Sequence, residues 1–366
     1  MKTQYIHKLT FFSFIFLISF YFSVPALAKT CKLSLLGSCD TKGFAYAVYI
    51  SGNKAYVADF ICGLQIIDIS NPKAPALLGS YDTPGGAKGV YVSGNTAYVA
   101  DGASGLQIIN VSDPRAPTLL GNYDTPGSAR NVFVSGNTAY VADFDSLQIV
   151  DVSNPAKPML LGCYDTLKNA VAKDVYLSGT KAYVAAWADG LLIIDVSNPK
   201  APILLGSYDT PGDAMGIYIS DNTAYVADGN LQLTVGGVLS GLQMEVLGGG
   251  LQIIDVSNPK TPTLLGSCNI PSSAKDIYVS GGVAYIVADE GNLTKNDDGN
   301  FELTSVPNPK GGLQIIDVSN SKSPVWLGSY DTPGIAWSVF VSSNTPYVVD
   351  VNSGLRIIRC EWLQSN

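Results

Sequence analysis

Histidine is almost absent from this 366-residue sequence, and the single one is His7, near the start of the chain. Nucleophilic triads of the Ser–His type need a histidine as general base, and histidine is also a common ligand of zinc. The sequence therefore argues against both kinds of site. A pair of carboxylates, as in glycoside cleavage, stays open, although no pair stands out in the sequence.

Basic residues are few. The chain has 22 Lys and Arg against 30 Asp and Glu, a net charge of −8. Without residues 1–28, which include Lys2 and Lys8, the net charge is −10. Nucleic acids and anionic membrane surfaces are bound through clustered basic residues, so neither is an expected partner.

Long apolar runs are missing except at the start of the chain. Residues 11–22 are largely apolar, follow a basic segment and precede the small-residue sequence ALA at 26–28. This order predicts a secretory signal peptide at 1–28, with an uncleaved anchor as the alternative, and a single domain at 29–366. Such a protein is secreted, periplasmic or held at the cell surface, and it inserts into no membrane once the signal is removed.

One unit is repeated seven times. It is clearest at 64–105, LQIIDISNPKAPALLGSYDTPGGAKGVYVSGNTAYVADGASG, and a near copy begins at Leu106. The leucines that open the LQIID-type segment stand at positions 64, 106, 147, 191, 251, 313 and 355, and four of the six steps are 41 to 44 residues. A period of about forty residues with four short apolar runs is typical of a β-propeller blade or a β-solenoid coil.

Each unit predicts four strands, named A to D from the inside of the blade outwards, and no part of it has helical periodicity. In the second unit these are A at 90–92, B at 96–100, C at 106–111 and D at 118–121. A Gly-Asn pair marks the A–B hairpin, and two prolines keep the C–D connection out of the sheet. The prediction is an all-β fold.

The two ends of the chain are out of phase with this unit. Residues 32–40 (KLSLLGSCD) match strand D, six complete units follow, and the seventh ends after strand C at 355–358. The N-terminal strand thus supplies what the last blade lacks, which closes a ring without open edges. We predict a seven-bladed β-propeller of four-stranded blades.

The cysteines fit this closure. Cys31 and Cys360 fall beside the same C–D turn of the composite blade, which predicts a disulfide in an oxidising compartment, with two unpaired thiols as the alternative. No pairing can be argued for the other four cysteines, which are Cys39, Cys62, Cys163 and Cys268.

The recurring segments LQIID, LLIID and LQIVD, together with LLGSYDTPG and VYVSGNTAYVAD, resemble those of the LVIVD-repeat proteins. The resemblance covers nearly all of 33–358. It implies a β-propeller of the exported or cell-surface kind found in bacteria and archaea, and it implies no catalytic motif. The sequence departs from the pattern in two insertions, at Ala186, where other copies have Asp, and at Arg359.

The two insertions, 229–249 and 290–311, fall between strands B and C of adjacent blades. Insertions in repeat proteins concentrate where binding occurs, and the B–C and D–A loops share one face. The first insertion predicts an extended hairpin. The second contains oxygen donors for a weak calcium site, with a solvated loop as the alternative, and no other cofactor is expected. The calcium ligands would be Asn292, Asn296, Asp298, Asn300 and Glu302.

The position just before strand A varies from blade to blade, and it should ring the mouth of the central channel. Four cations in an acidic protein would focus positive potential there and hold a carboxylate, a sulfate or a sugar acid, with aromatic residues as stacking faces. The alternative is that the cations only balance nearby loop aspartates. The seven residues are Tyr46, Lys88, Arg130, Lys173, Met215, Lys275 and Trp337.

Two other groups lie on the same face. Phe60, Phe144 and Trp187 in the B–C loops are predicted to contact a partner or to pack on adjacent loops. Regularly placed aspartates end strand B in six blades, and these are predicted to cap turns by accepting backbone N–H groups. They are Asp59, Asp101, Asp143, Asp228, Asp289 and Asp350.

These observations favour an exported, non-enzymatic binding or scaffold module, a monomer that binds a protein or glycan partner, or a small anionic ligand, on the face with the D–A and B–C loops. The alternative is a carboxylate-dependent carbohydrate-active enzyme, a glycosidase or a lyase. It would need two carboxylates about 5–9.5 Å apart in an open cleft.

Overall fold

The structure is a computed structural model, and it describes residues 30–166, 171–229, 232–234, 243–245, 249–270, 272–289, 292–295, 301–304 and 311–363. The predicted signal peptide and parts of both insertions lie outside the described residues.

The described residues form seven four-stranded antiparallel sheets and two separate two-stranded ribbons. Their strands are, blade by blade along the chain, β1 (Thr30–Cys39); β2 (Ala45–Ser51), β3 (Lys54–Asp59), β4 (Gly63–Asp68) and β5 (Ala76–Tyr81); β6 (Gly89–Ser93), β7 (Thr96–Ala100), β8 (Leu106–Asn110) and β9 (Thr118–Tyr123); β10 (Ala129–Ser135), β11 (Thr138–Asp143), β12 (Ser146–Asp151) and β13 (Met159–Asp165); β14 (Asp174–Ser178), β15 (Lys181–Ala185), β16 (Leu191–Asp195) and β17 (Ile203–Tyr208); β18 (Asp213–Ser220), β19 (Thr223–Gly229), β20 (Gln232–Thr234), β21 (Gln243–Glu245), β22 (Gly250–Asp255) and β23 (Thr263–Asn269); β24 (Ser273–Ser280), β25 (Val283–Asp289), β26 (Asn292–Lys295), β27 (Phe301–Thr304), β28 (Gly312–Asp317) and β29 (Val325–Tyr330); and β30 (Ala336–Ser342), β31 (Thr345–Asp350) and β32 (Gly354–Leu363).

The first strand of every blade is innermost, because strands A of neighbouring blades contact one another all the way round, from β2 and β6 through to β30 and β2. This arrangement is a seven-bladed β-propeller, as the repeat predicted. The A–B connections are the expected tight hairpins. At Gly94, for example, φ is +57°, a conformation in which glycine is least strained.

The hydrophobic core consists of layers between blades. In one layer Leu64 and Ile66 of the first blade pack against Val90, Val99 and Ile109 of the second. Strands B and C contribute side chains to layers on both sides and are almost fully buried, which explains their continuous apolar sequence. The alanines of strand B are small enough for the narrow, inner part of each blade.

A glycine in strand D marks where the next blade approaches. A Cβ atom at Gly79 would lie 2.5 Å from the backbone oxygen of Pro114, which belongs to the following C–D turn. The same glycine recurs beside Pro72, Pro155, Pro199 and Pro259 in other blades. The recurring LLG segment is therefore a contact of the turn of one blade with the outer strand of the blade before it.

The ring closes by strand exchange. β1 pairs with β32 from Thr30↔Leu363 to Cys39↔Leu355, so the N-terminal strand completes the sheet of β30, β31 and β32. The predicted disulfide is present: Cys31 and Cys360 are bonded, with a Cα–Cα distance of 5.8 Å. The other cysteines are free thiols, as listed above.

Both insertions carry antiparallel ribbons between strands B and C, formed by β20 with β21 and by β26 with β27. The first is the hairpin that its sequence predicts. The described ranges contain no apolar helix of the length needed to cross a bilayer.

Candidate functional site

β-bulges place the predicted mouth residues. In five blades the register between strands A and B shifts across this position, as between Ala129 and Asn131, so the residue in between is the extra one. In the other two blades Lys88 and Lys173 stand just before strand A, and each donates its N–H to strand B at 2.8 Å. A bulge re-aims a side chain, here at the inner end of the blade. All seven mouth residues lie at this first level of the channel, and all are half-buried.

A buried alanine precedes each mouth residue, and it joins neighbouring blades. Isolated β-bridges link Phe60 with Ala87, Gly102 with Ala129, Phe144 with Ala172, and Trp187 with Ala214. The B–C loop of one blade is thereby fixed to the mouth residue of the next.

The mouth cations rest on aromatic rings. Lys88 lies over Phe60 at 5.8 Å, Arg130 over Phe144 at 5.3 Å, Lys173 over Trp187 at 4.5 Å and Lys275 over Trp337 at 5.7 Å. These are cation–π contacts, each measured to the ring centroid. The three aromatic residues predicted in the B–C loops are thus brought together with the mouth residues into one surface.

None of the four mouth cations forms an ion pair with a carboxylate among the described residues, where the ion pairs are Arg356–Asp40 and Arg359–Glu361. Lys88 Nζ contacts Ser128 Oγ at 3.2 Å, and Lys275 Nζ contacts Ser273 Oγ at 3.4 Å. Arg130 Nε is buried and has no hydrogen-bond partner in the described part of the chain. The described residues thus contain no contact ion pair between a mouth cation and a loop aspartate. Aspartates still act on the lysines at longer range, since Asp101 raises the pKa of Lys88, and Asp213 raises that of Lys173 and Lys275. Part of the balance that the alternative interpretation describes is therefore present.

Burial and mutual repulsion act on these cations. The pKa of Lys173 is lowered to about 8, chiefly by burial and also by the charges of Arg130, Lys275 and Lys88, while Asp213 acts in the opposite direction. Burial is also the main cause that lowers the pKa of Lys88, Arg130 and Lys275. Lys88 and Lys173 are therefore affected by other cations within a partly desolvated mouth.

A second level of the channel lies one residue further along strand A. Four blades place polar side chains there, and three place small ones: Asn131, Asp174, Asp276 and Ser338, and Ala47, Gly89 and Gly216. The glycines leave room for polar neighbours. A Cβ atom at Gly89 would lie 2.8 Å from Asn131 Oδ1, and one at Gly216 would lie 3.1 Å from Asp276 Oδ1.

Asp174 hydrogen-bonds across the boundary between two blades. Its Oδ2 accepts the N–H of Ile217 at 2.9 Å, while its Oδ1 accepts the N–H of Val175 at 2.7 Å and the side-chain amide of Asn131. Burial raises the pKa of Asp174, and the charge of Asp276 raises it further.

Asp276 repeats this arrangement two blades further on. Its Oδ2 accepts the Ser338 hydroxyl at 2.7 Å and the N–H of Val339 at 3.1 Å, and its Oδ1 accepts the N–H of Ile277 at 2.7 Å. Burial raises the pKa of this carboxyl too.

A third level is a closed collar of seven aromatic rings, one from each strand A. Neighbouring centroids are 4.8 to 5.2 Å apart, and the interplanar angles average about 51°, one seventh of a full turn. Each ring is thus related to the next by the rotation of the propeller, as expected when the ring planes run along the channel. The collar consists of Tyr49, Tyr91, Phe133, Tyr176, Tyr218, Tyr278 and Phe340.

The second and third levels line an open cavity of about 260 Å³. Asn131, Asp174, Asp276 and Ser338 line it on the side of the mouth, and the collar lines it below. The channel therefore has a cationic entrance, an acidic and amide-bearing chamber, and an aromatic wall.

The sequence analysis did not identify the lower two levels. A signal existed for both levels, since the second-level residue is polar or very small in every copy and the residue two positions later is always Tyr or Phe. Without the structure, a recurring small or aromatic residue in strand A is readily explained by packing around the propeller axis.

Five of the six aspartates that end strand B accept a loop N–H, as predicted. Asp143 accepts the N–H of Gly127 at 2.8 Å and the Thr125 hydroxyl at 2.7 Å, and Asp101 has the same partners in its blade, Gly85 and Thr83. Asp59, Asp228 and Asp350 also accept a glycine N–H.

The predicted calcium ligands lie mostly outside the described residues. Asn292 and Glu302 stand on the paired strands β26 and β27, whereas Asn296, Asp298 and Asn300 are not described. Within the described ranges, no group of three or more His, Cys, Asp or Glu is arranged to hold a metal ion.

The fold and the loop-bearing mouth define a β-propeller, and solved structures share that fold. The WD40 β-propeller domain of Doa1 has a TM-score of 0.65 at 11% identity, covering 90% of this chain and 97% of that one. The β-propeller domain of Cps50 (Swd1) from Myceliophteria thermophila has 0.64 at 11%, covering 92% and 100%. The computationally designed Ika8 protein has 0.59 at 11%, covering 88% and 98%. At this identity the likeness shows the fold alone.

The LVIVD repeat matches the chain nine times, and the chain belongs to the LVIVD-repeat family. No curated protein sequence matches it. The matched segments are 42–83, 84–125, 126–166, 171–210, 211–235, 246–270, 271–294, 306–332 and 333–358.

Proposed function

We propose that this protein is an exported, non-enzymatic binding propeller that holds an anionic ligand at the channel mouth, on the face with the D–A and B–C loops. The observation that carries the proposal is the set of four half-buried mouth cations that form no contact ion pair with a carboxylate of the described residues. An anion there would replace lost solvation and relieve the repulsion that lowers the lysine pKa values.

Aromatic neighbours support a ligand with apolar surface as well as charge. Tyr46 stacks edge-on against Trp337 at 4.8 Å and lies 5.4 Å from Phe60, which leaves a broad aromatic sector beside the cations. Sugar acids present both a carboxylate and an apolar ring face, so glucuronate is a suitable first probe beside sulfate.

The test is a binding titration of glucuronate and sulfate against the mature protein and a charge-removing variant. Arg130→Met with Lys173→Met is the matched change, because Met215 already occupies this position in another blade. We expect at least about tenfold weaker binding, since each charge-assisted hydrogen bond contributes about 1.5–3 kcal/mol. Binding should weaken with salt.

Lys200→Met, on the exposed C–D turn of the opposite face, is the control and should bind like the unchanged protein. Equal affinity of the double variant and the control would contradict the proposal. A large fall in the melting temperature of the double variant would instead show that the mouth cations stabilise the fold.

The enzymatic alternative receives less support. The described aspartates at the ends of strand B already accept loop amides, and Asp174 and Asp276 accept hydrogen bonds between blades. Turnover of nitrophenyl glycosides that disappears in Asp174→Asn would revive this alternative.

Export is part of the proposal. The disulfide between Cys31 and Cys360 suits an oxidising compartment. The N-terminal sequence of the protein recovered from outside the cytoplasm should begin near Lys29, and a chain that keeps residues 1–28 would instead indicate the anchored form.

A further inference from the structure

An anion at the mouth leaves the chamber below it unexplained. The second level carries two carboxylates, an amide and a hydroxyl around a cavity of about 260 Å³. Burial and the charge of Asp276 both raise the pKa of Asp174, so ionising both carboxyls at neutral pH has an electrostatic cost. A positive group between the two carboxylates would remove that cost.

The hydrogen bonds that Asp174 and Asp276 already accept show how many of their acceptor directions are left for a ligand. An ionised carboxylate has about four acceptor directions, two on each oxygen. Asp174 uses three of them, for Val175, Ile217 and Asn131, and has one direction left on Oδ2.

Asp276 likewise uses three directions, for Ile277, Ser338 and Val339, and has one left on Oδ1. Two remaining acceptors, one from each carboxylate, match two of the three N–H donors of an ammonium group.

The surrounding groups fit an ammonium better than a metal ion. The aromatic collar bounds the chamber below, and its ring faces are covered by neighbouring rings at centroid distances of 4.8 to 5.2 Å. Hard divalent cations need six or more oxygen ligands, and the remaining acceptors of this chamber are too few for that. A free amine would meet repulsion at the mouth cations, whereas an amine that also carries a carboxylate would not.

We propose that the mouth and the chamber form one site for a compact amino-carboxylate zwitterion, whose carboxylate meets Arg130 and Lys173 and whose ammonium enters between Asp174 and Asp276. The carboxylate half of this inference rests on the proposed function. The two levels are successive residues of strand A, with Cα atoms about 3.8 Å apart, and we therefore propose a ligand whose two charges are a few bonds apart.

The experiment compares matched pairs of probes by calorimetric titration of the mature protein. Glycine, β-alanine and 4-aminobutyrate are each set against the carboxylate that lacks the amine, which is acetate, propionate or butyrate. We expect at least one amino acid to bind about tenfold more tightly than its partner, the ratio expected from one additional charge-assisted interaction. Butylamine should bind more weakly than 4-aminobutyrate.

Two double variants test separately where the ammonium and the carboxylate of the ligand bind. Asp174→Asn with Asp276→Asn should bring the ratio of amino acid to carboxylate affinity close to one and leave carboxylate binding intact. Arg130→Met with Lys173→Met should weaken both members of each pair.

The outcomes separate the two proposals. If no amino acid exceeds its matched carboxylate in the unchanged protein, the zwitterion site is wrong while the anion site stands. If neither amino acids nor carboxylates bind, and glucuronate and sulfate also fail, the proposed function is wrong. The comparison on the unchanged protein decides the question even if the Asn variant does not fold. A ratio that persists in a folded Asn variant would also overturn the zwitterion site.

Discussion

Lys173 offers the most direct chemical check on the mouth. Its pKa of about 8, below the usual 10.5, means that about half of its amine is neutral at pH 8, against about 0.3% for a lysine with the usual value. Acylating reagents attack the neutral amine. Before steric access is considered, Lys173 should therefore react roughly a hundred times faster than an ordinary lysine at this pH.

Limited acetylation at several pH values, followed by peptide mass spectrometry, measures this rate. Lys200 on the opposite face is the internal reference. Arg130→Met should raise the pKa of Lys173 and slow its modification at pH 8, because the Arg130 charge lowers that pKa. Saturating sulfate should act in the same direction. If Lys173 follows Lys200 at every pH between 7 and 10, the cations do not share a desolvated mouth.

Three further predictions concern the stability of the ring. Replacing both cysteines of the closure disulfide by serine should lower the free energy of unfolding by about 2–5 kcal/mol in a urea titration, because the bond spans a sequence separation of 329 residues; an unchanged midpoint would contradict this. Asp143→Ala should cost about 2–4 kcal/mol, since Gly127 and Thr125 lose their acceptor, whereas the exposed Asp124→Ala should change little. The second-level carboxyls have a raised pKa in the folded state, so they keep protons that the unfolded chain releases above about pH 4, and stability should fall as the pH rises from 4 towards 7. The Asn double variant of that level should lose most of this slope, and an identical slope would refute the assignment.

The seven-bladed ring and its closure could be predicted because both are properties of the repeat. The strand-D segment ahead of the first complete unit and the missing strand D at the end are visible in the sequence, and only a composite blade satisfies both. Alignment of the repeats also placed Cys31 and Cys360 beside the same C–D turn of the composite blade. The outer strand extends to Tyr123, beyond the 118–121 predicted, because its pairing with Leu106 continues past the glycine.

The chamber could not be predicted in the same way. Asn131, Asp174, Asp276 and Ser338 differ in type and come from separate blades, so no local pattern relates them. In the blades of Asn131, Asp276 and Ser338 a bulge in strand A sets the position of these residues, and a bulge is a property of pairing with strand B that one strand alone does not reveal. The absence of contact ion pairs at the mouth cations in the described residues is likewise a matter of distances between blades.

The seam between β1 and β32 has a consequence for the order of events during synthesis. β1 is synthesised before its pairing partner β32. The earlier blades can therefore form on the ribosome, but the ring cannot close until nearly the whole chain has emerged. The pairing is among the most non-local in the molecule, and such contacts form slowly. A circular permutant that begins at β2 and carries β1 after β32 would contain the same blades as contiguous units. No strand would then pair the two ends of the chain within one sheet, and only contacts between the first and last blades would close the ring.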